Sequence, residues 1–293
     1  MFLRILLLLS ATLYADRYLE TLYPEWGQSF EMKTIIHQEK SDFWELSIFE
    51  NPLCGRVLAI DGIIQTTEAD EAIYHEMMAH VPLLAHGHAK SILIIGGGDG
   101  GLLREVLRHT TVQKAIVVEI DPSVIELSKK YLPSLSQGAF SDPRAQIVIQ
   151  DAAKYIKETK DTFDVILCDS TDPTGPGKVL FTTEFYGDCK KKLKSKGIFV
   201  NQNGVPFFQK SELKLTQENR APHYKNVRFY LAPVPTYVGG FLALGWASDT
   251  LYKVSEKTLQ KRMKNVRGKM KYYTPAIHKA AFVLPQYVLD ALN

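Results

Sequence analysis

The sequence predicts an α/β protein in which a small antiparallel β unit precedes a doubly wound parallel sheet. Short alternating segments separated by turn pairs such as Asp61-Gly62 fill residues 26–67 and indicate antiparallel strands. From residue 91 onward, apolar runs alternate with helical patterns, which is typical of strands covered by helices on both faces. The predicted units are an extra apolar segment at 1–16, an N-terminal β domain at 17–80 and a larger domain at 81–293.

The individual elements follow from periodicity. Residues 68–85 place Ile73, Met77, His80 and Val81 along one side and predict a helix that finishes between Pro82 and Gly87. Short apolar runs bounded by turn signals predict the strands of the parallel sheet. These runs lie at 91–95, 115–119, 146–149, 165–168, 197–201, 227–232 and 241–246.

Composition narrows the class of protein. The chain has 293 residues, of which 45% are hydrophobic and 23% charged, and this balance is that of a globular protein with a sizeable core. The formal net charge is +3 and the basic residues are scattered among acids, so we expect no nucleic-acid partner. The basic run Lys190, Lys191, Lys192, Lys194, Lys196 predicts the solvated last turn of a helix that Gly197 caps.

The cysteine and histidine spacings predict neither a disulfide framework nor a metal site. Cys54, Cys168 and Cys189 are odd in number and far apart, which favours a reducing, cytoplasmic compartment. No acid completes a ligand set with the histidines, so no metal is expected; these are His75, His80, His86 and His88.

The N-terminal segment admits two interpretations. Residues 1–15 carry one Arg, an apolar run and a small residue at Ala15, which resembles a short signal peptide and is too short to span a bilayer. The other interpretation is a start codon assigned too far upstream, and we favour it because the substrates considered below are cytosolic. No other stretch predicts a membrane span, since the glycines around Asp99 interrupt the next most apolar segment.

Acidic side chains follow three successive predicted strands. The first strand leads into Gly96-Gly97-Gly98-Asp99-Gly100-Gly101 and then a helix, an order that lets a ligand approach the backbone closely. Glu119 ends the next strand about twenty residues on, where a carboxylate can accept both ribose hydroxyls. Asp151 ends the third, within reach of an adenine amino group. The sequence therefore predicts a nucleoside site at this edge of the sheet.

Asp99 indicates the charge of the ligand. A carboxylate in the glycine-rich turn repels a pyrophosphate, or the carboxylate of S-adenosylmethionine, and pairs with a bare ammonium group. Asp99 therefore argues against a dinucleotide and favours a nucleoside sulfonium that carries an amine tail.

A second acidic loop follows the fourth strand, with Asp169 and Asp172 three residues apart. The sequence also contains the motifs IGGGDG, VEID, DSTDPTGP, QTTEADEAIYHEM, PTYVGG and YYTPAIHKAAFVLPQY. With these motifs, the sequence resembles the spermidine synthase family of polyamine aminopropyltransferases from Tyr18 to the C-terminus.

The resemblance implies a Rossmann-like, methyltransferase-like catalytic domain with a small N-terminal β domain, a homodimer or homotetramer, and no cofactor, because decarboxylated S-adenosylmethionine is a co-substrate. It implies Asp169 as the proton acceptor, with Asp172 and Tyr74 also catalytic. The implied donor-binding residues are Asp99, Glu119, Asp151, Ala152, Pro176 and Gln65. The implied polyamine-binding residues are Tyr74, His75, Asp99, Asp169, Ser170, Thr171, Asp172 and Tyr237.

The sequence departs from the family pattern at Trp44, where the family commonly has Gln. A Gln side chain donates a hydrogen bond to the nucleoside, whereas Trp offers stacking or its indole N–H, so no binding role is carried onto Trp44. Alternatives to a spermidine synthase are an aminopropyltransferase for cadaverine, agmatine or spermidine, a methyltransferase that uses S-adenosylmethionine, and an exported polyamine-binding protein.

Overall fold

A computed structural model describes residues 16–173 and 175–293, so the two interpretations of residues 1–15 lie outside the described residues. Its N-terminal strands form two antiparallel sheets. They are β1 (Arg17–Leu19), β2 (Ser29–Glu31), β3 (Thr34–Lys40), β4 (Glu45–Asn51), β5 (Gly55–Ile60) and β6 (Ile63–Thr67). β1 pairs with β2, and β3 to β6 pair in chain order. Asp61 and Gly62 join β5 to β6 with φ angles of 49° and 81°, the backbone that a two-residue hairpin requires, as their sequence predicts.

Helix α1 (Glu71–His86) connects the N-terminal sheets to the larger domain. Almost all of its residues are buried, and it ends at Gly87, whose φ of 82° and N–H bond to Leu83 O form a left-handed C-terminal cap. The predicted boundary between residues 80 and 81 lies within this helix, and the division into domains stays a prediction.

The larger domain alternates strands and helices in the predicted order. Its elements are β7 (Ser91–Gly96), α2 (Gly101–Leu107), β8 (Lys114–Glu119), α3 (Pro122–Tyr131), α4 (Pro133–Ser136), β9 (Ala145–Ile149), α5 (Ala152–Glu158), β10 (Phe163–Asp169), α6 (Thr183–Lys192), β11 (Leu193–Gln202), α7 (Lys210–Arg220), β12 (Asn226–Ala232), β13 (Leu242–Ser248), α8 (Glu256–Met263), α9 (Pro275–Ala280) and α10 (Gln286–Leu292). Short 3₁₀ helices span Ala139–Ser141 and Gly175–Phe181. The predicted α/β class is thus confirmed.

The seven strands form one sheet in the order β12-β13-β11-β10-β7-β8-β9. Strands β7 to β11 pair in parallel, whereas β13 runs antiparallel to both β11 and β12, so the parallel pairing predicted from the sequence does not extend to this edge. No helix separates β12 from β13, and a direct connection of that kind produces an antiparallel pair.

The centre of the sheet is buried on both faces, because neighbouring residues of β7 join different cores. Ile92 and Ile94 pack beneath α1, and Leu93 and Ile95 pack on the opposite side. β7 also lies where the strand order reverses, with β8 on one side and β10 on the other. Ligands of open α/β sheets bind outside the carboxyl ends of the strands at this switch point.

The lysine-rich run differs from its prediction. α6 ends at Lys192 and β11 begins at Leu193, so the helix is not capped by Gly197, and the last two lysines of the run belong to a strand. The apolar residues from Leu193 onward pair with β10, and this pairing overrides the helical pattern of the lysines.

Cys54, Cys168 and Cys189 are buried free thiols. Within the described part of the chain, no helix has the length and apolar character needed to cross a membrane.

Candidate active site

All of the predicted site residues line one cavity, at the carboxyl edge of the sheet and against the N-terminal strands. They are Gln65, Tyr74, His75, Asp99, Glu119, Asp151, Ala152, Asp169, Ser170, Thr171, Asp172, Pro176 and Tyr237. Seven carboxyl side chains line the cavity, and His75 is the only basic side chain among its described lining residues. A low-dielectric cleft lined by one sign of charge attracts ligands of the opposite sign, so the cavity favours cations.

The glycine-rich turn brings the end of β7 against the end of β10. Gly96 has a φ of 75°, and a Cβ placed there would lie 2.0 Å from Asp169 O. Gly97 N donates to that same oxygen over 3.0 Å. Glycine is therefore required at Gly96 both by the backbone angle and by the close approach. This contact fixes the position of Asp169 relative to Asp99.

Three carboxyls at one end of the cavity are held by backbone N–H groups close to them in sequence. Asp99 Oδ1 accepts from Gly101 N over 2.7 Å, and Asp151 Oδ1 accepts from Lys154 N over 2.9 Å as the N-cap of α5. Glu119 Oε1 accepts from the N–H groups of the two residues that follow it, over 2.8 and 3.1 Å. Burial raises the pKa of Glu119 to about 7. Near neutral pH, such a carboxyl can accept hydrogen bonds from paired hydroxyls when it is ionised, and can donate one to a hydroxyl when it is protonated.

Asp169 is a buried carboxyl that receives a hydrogen bond from Tyr74. The distance from Tyr74 Oη to Asp169 Oδ1 is 2.6 Å. Burial, and secondly the negative charge of Asp99, raise the pKa of Asp169 to about 6. Burial raises the pKa of Tyr74 well above its usual value, so the phenol keeps its proton and donates. Asp169 is therefore ionised at neutral pH and more basic than an ordinary aspartate.

Asp172 is held by two glutamine side chains. Gln209 Nε2 donates to Asp172 Oδ2 over 3.0 Å, and Gln202 Nε2 donates to Asp172 Oδ1 over 3.4 Å. Gln209 is itself fixed, because its oxygen accepts from Val205 N over 2.6 Å and from Tyr23 Oη over 3.1 Å. Burial raises the pKa of Asp172.

Gln202, Gln209 and Glu20 line the cavity but were not among the predicted site residues. Gln202 ends β11 at the same edge as the three strand-end acids, and this position is the signal that could have identified it. Gln209 precedes α7, and Glu20 follows the edge strand β1. Nothing in the local sequence of either residue separates it from ordinary polar residues.

Tyr74 and Tyr237 form one wall of the cavity. Their rings meet edge to face with centroids 6.1 Å apart, and Tyr237 Oη donates to Gln65 O over 2.6 Å. The contact that the structure gives Gln65 therefore uses its main chain, while its side-chain amide donates to Ile63 O over 3.2 Å. Trp44 is partly buried and also lines the cavity, so an aromatic surface lies where the family pattern commonly has an amide.

His75 lies in the wall with both ring nitrogens beside carboxylates. Its side chain is 2% exposed, with Nδ1 2.8 Å from Glu71 Oε2 and Nε2 3.4 Å from Asp99 Oδ2. Burial lowers the pKa of His75, but the charge of Asp99 and the hydrogen bonds to Asp99 and Glu71 outweigh this effect and raise it to about 10. The two neighbouring carboxylates thus favour the imidazolium form of the ring. Within the described residues, no group of three or more His, Cys, Asp or Glu side chains is arranged to hold a metal ion.

Comparisons with known families match nearly the whole of the described chain. Residues 71–258 match the model of the spermine/spermidine synthase domain, and residues 17–68 match that of the spermidine synthase tetramerisation domain. The polyamine aminopropyltransferase of Serratia proteamaculans is 50% identical over 276 residues, which are 94% of this chain and 96% of that protein. The protein of the same name from Shigella flexneri is 50% identical over 275 residues, covering 93% and 96%.

Solved structures agree in fold. A crystal structure of spermidine synthase in complex with the transition state analogue AdoDATO has a TM-score of 0.89 and 42% identity, with 95% of each chain covered. The spermidine synthase of Thermotoga maritima has a TM-score of 0.87 and 40% identity, with 95% of this chain and 94% of that chain covered.

Proposed function

Since this chain belongs to the spermine/spermidine synthase family and is an aminopropyltransferase, we propose that it is a spermidine synthase. In this proposal it moves the aminopropyl group of decarboxylated S-adenosylmethionine to putrescine, and the products are spermidine and methylthioadenosine. The observation that carries the proposal is the Tyr74–Asp169 hydrogen bond of 2.6 Å in a cavity whose described lining has seven carboxyl side chains and one basic side chain.

The donor matches the end of the cavity that holds Asp99, Glu119 and Asp151. Asp99 takes the ammonium of the aminopropyl tail, Glu119 the ribose hydroxyls and Asp151 the adenine amino group. Ala152, Pro176 and Gln65 complete the nucleoside site. A sulfonium and an ammonium make this donor doubly positive, which suits an acidic cavity.

The acceptor enters from the end that holds Asp172. Alkylamines have pKa values near 10, so putrescine arrives as a dication, and an ammonium group has no lone pair for attack. Asp172 binds the cationic amine together with the walls formed by Tyr74 and Tyr237. Ser170, Thr171 and His75 border the same space.

Asp169 then takes the proton from the nitrogen that attacks. The freed amine displaces methylthioadenosine from the methylene carbon beside sulfur, in line with the C–S bond. Holding nitrogen about 3 to 3.5 Å from that carbon supplies much of the acceleration, and proton removal adds roughly 10²- to 10⁴-fold. The leaving group is a neutral thioether, so the proposed reaction needs neither a metal nor a cofactor. Burial raises the pKa of Cys168 to about 12, and the reaction needs no thiol nucleophile.

Assembly and location complete the proposal. The match of residues 17–68 to a tetramerisation domain supports a homodimer or homotetramer that assembles through the N-terminal strands. The substrates are cytosolic, so we place the enzyme in the cytoplasm. An aminopropyltransferase for cadaverine, agmatine or spermidine remains the second candidate, because the same carboxylates suit any of these amines.

Incubation with decarboxylated S-adenosylmethionine and each of four amines, with products read by mass, tests the proposal; the amines are putrescine, cadaverine, agmatine and spermidine. We expect aminopropyl transfer to be fastest with putrescine, with one methylthioadenosine formed for each spermidine. Faster reaction of another amine would replace the named acceptor and leave the reaction type intact. Binding of amines without any methylthioadenosine would indicate the exported binding protein instead, and methyl transfer from S-adenosylmethionine would indicate a methyltransferase.

A further inference from the structure

The carboxylate proposed to take the donor's ammonium already has a cation beside it. His75 Nε2 lies 3.4 Å from Asp99 Oδ2, and the ring is packed so closely against the glycine-rich turn that a Cβ on Gly101 would lie 2.3 Å from His75 Cε1. The ring therefore has no room to move toward the turn. Two cations beside one carboxylate repel each other, so an arriving ammonium and an imidazolium compete for Asp99.

Glu71 holds the imidazolium in place. Its Oε2 accepts from His75 Nδ1 over 2.8 Å and from Arg104 Nη2 over 2.7 Å, and its side chain is 3% exposed. Arg104 is anchored in turn by Glu105, over 2.8 Å. Because the Nδ1–H is committed to Glu71, the Nε2–H is the proton that faces Asp99 and the cavity.

We propose that His75, positioned by Glu71, is a resident counter-ion for Asp99. The donor's ammonium replaces this positive charge by driving the Nε2 proton of His75 into solvent. Glu71 is the positioning residue, and the inference rests on the proposed donor. The proton leaves as a hydronium or buffer ion, and the ring becomes the neutral Nδ1–H tautomer. The Nε2 lone pair then accepts a hydrogen bond from the ammonium, so the ammonium donates to both His75 and Asp99.

The surroundings of His75 allow its proton to be measured separately. Charged and titratable groups from five parts of the chain face the His75 ring. They are Glu71 and Tyr74 of α1, Asp99 of the glycine-rich turn, Arg104 of α2, Asp169 at the end of β10 and, through Glu71, Lys271 of the C-terminal segment. The pKa of Asp169 is about 6 and that of Glu119, in the nucleoside site, is about 7, whereas burial keeps the pKa of Tyr74 well above its usual value. Near pH 8.5 these carboxyls are already ionised and the phenol is not, so we assign the released proton to His75, which lies directly beside Asp99.

Calorimetric titration in two buffers of different ionisation enthalpy, at about pH 8.5, counts the protons released on binding. We expect decarboxylated S-adenosylmethionine to release close to one proton and methylthioadenosine, which lacks the amine, close to none. The affinity for the donor should then rise up to tenfold per pH unit at about pH 8.5, below the pKa of His75 and of the donor's own amine, because the competing proton is being removed. The affinity for methylthioadenosine should stay flat over the same range.

Two variants locate the proton. In Glu71→Gln, the amide oxygen can still accept from both His75 and Arg104, so the packing stays while one of the two negative charges that favour the imidazolium is lost. We expect proton release to fall below the wild-type value in Glu71→Gln, where Asp99 still favours the imidazolium, and toward zero in His75→Gln. Lys271→Met is the matched control: it removes a 65% exposed charge 3.6 Å from Glu71, and proton release should stay at the wild-type value.

The outcomes separate this inference from the proposed function. Donor binding without proton release in the wild-type protein, or proton release in Glu71→Gln and His75→Gln that equals the wild-type value, would overturn the inference even if spermidine is formed. Proton release with no aminopropyl transfer would overturn the proposed function and leave the inference standing.

Discussion

The two ends of the cavity hold their carboxylates by different means. At the donor end, Asp99, Glu119 and Asp151 each accept from backbone N–H groups one to three residues further along the chain. At the acceptor end, the partners come from distant elements: Tyr74 lies 95 residues from Asp169, and Gln209 lies 37 residues from Asp172. The hydrogen bonds from backbone N–H groups at the donor end are therefore local in the chain, whereas the side-chain hydrogen bonds at the acceptor end come from tertiary packing.

This difference has a chemical consequence. Backbone donors at strand and helix ends stay in place when a side chain elsewhere is changed, so the donor end keeps its shape in most variants. The acceptor end relies on side-chain amides and a phenol, each of which a single substitution can remove. Changes at the acceptor end should alter turnover and the choice of amine, whereas changes at the donor end should alter affinity for the nucleoside.

The largest effect is expected for Asp169→Asn. The amide cannot accept the proton, so kcat should fall roughly 10²- to 10⁴-fold while the donor still binds, because the donor-end partners are untouched. Single-turnover rates and donor titration measure the two quantities separately. Asp161→Asn is the control, since it removes the same charge from a surface ion pair with Lys114 and should leave kcat unchanged. Near-normal turnover in Asp169→Asn would refute its assignment as proton acceptor.

The next largest effect is expected at the donor end. Asp99→Asn removes the charge proposed to pair with the ammonium, at a cost of about 2 kcal/mol, or on the order of 30-fold in affinity for decarboxylated S-adenosylmethionine. Methylthioadenosine has no amine, so its affinity should change little. Competition binding of both ligands to the same variant gives the ratio directly, and equal losses for the two ligands would contradict the charge pairing.

The contrast between the two ends also explains what the sequence could predict. A strand followed by Asp99, Glu119 or Asp151 is a local pattern, and the carboxyl ends of parallel strands must meet at one edge of the sheet, so their meeting in one cavity was predictable from spacing. The hairpin turn at Asp61-Gly62 was predictable for the same local reason.

Gln209 and Glu71 are different, because their roles depend on which side chain lies opposite them in the folded chain. The reversed direction of β13 and the end of α6 at Lys192 likewise depend on strand pairing rather than on local periodicity. The assignments to Tyr74, Tyr237 and His75 came from the family resemblance alone. Periodicity does not distinguish such residues from ordinary core residues, because it records burial and not the partner.

A smaller effect concerns pH. Asp169 must be ionised to accept a proton, so activity toward the amine should fall about tenfold per pH unit below its pKa, which is about 6 in the free protein and lower once the positive donor is bound. Tyr74→Phe removes a hydrogen bond that stabilises the carboxylate, so the pKa of Asp169 should rise and the acid limb should move to higher pH. The profile of kcat/KM for the amine, at saturating donor, measures this shift. An unmoved limb in Tyr74→Phe would show that another group titrates.

The smallest effect is expected for Gln209→Leu. The substitution leaves Asp172 with one weak partner and frees Val205 N and Tyr23 Oη, so the carboxylate loses its fixed orientation. A hydrogen bond to a charged group contributes about 1.5 kcal/mol, so the KM for putrescine should rise roughly tenfold with the donor KM unchanged. If Gln209 acts through Asp172, its effect in an Asp172→Asn background should largely disappear, because the two substitutions remove the same interaction. Additive effects in that double-mutant cycle would mean that Gln209 contacts the amine directly, and the acceptor end would then hold its ligand with more than its carboxylates.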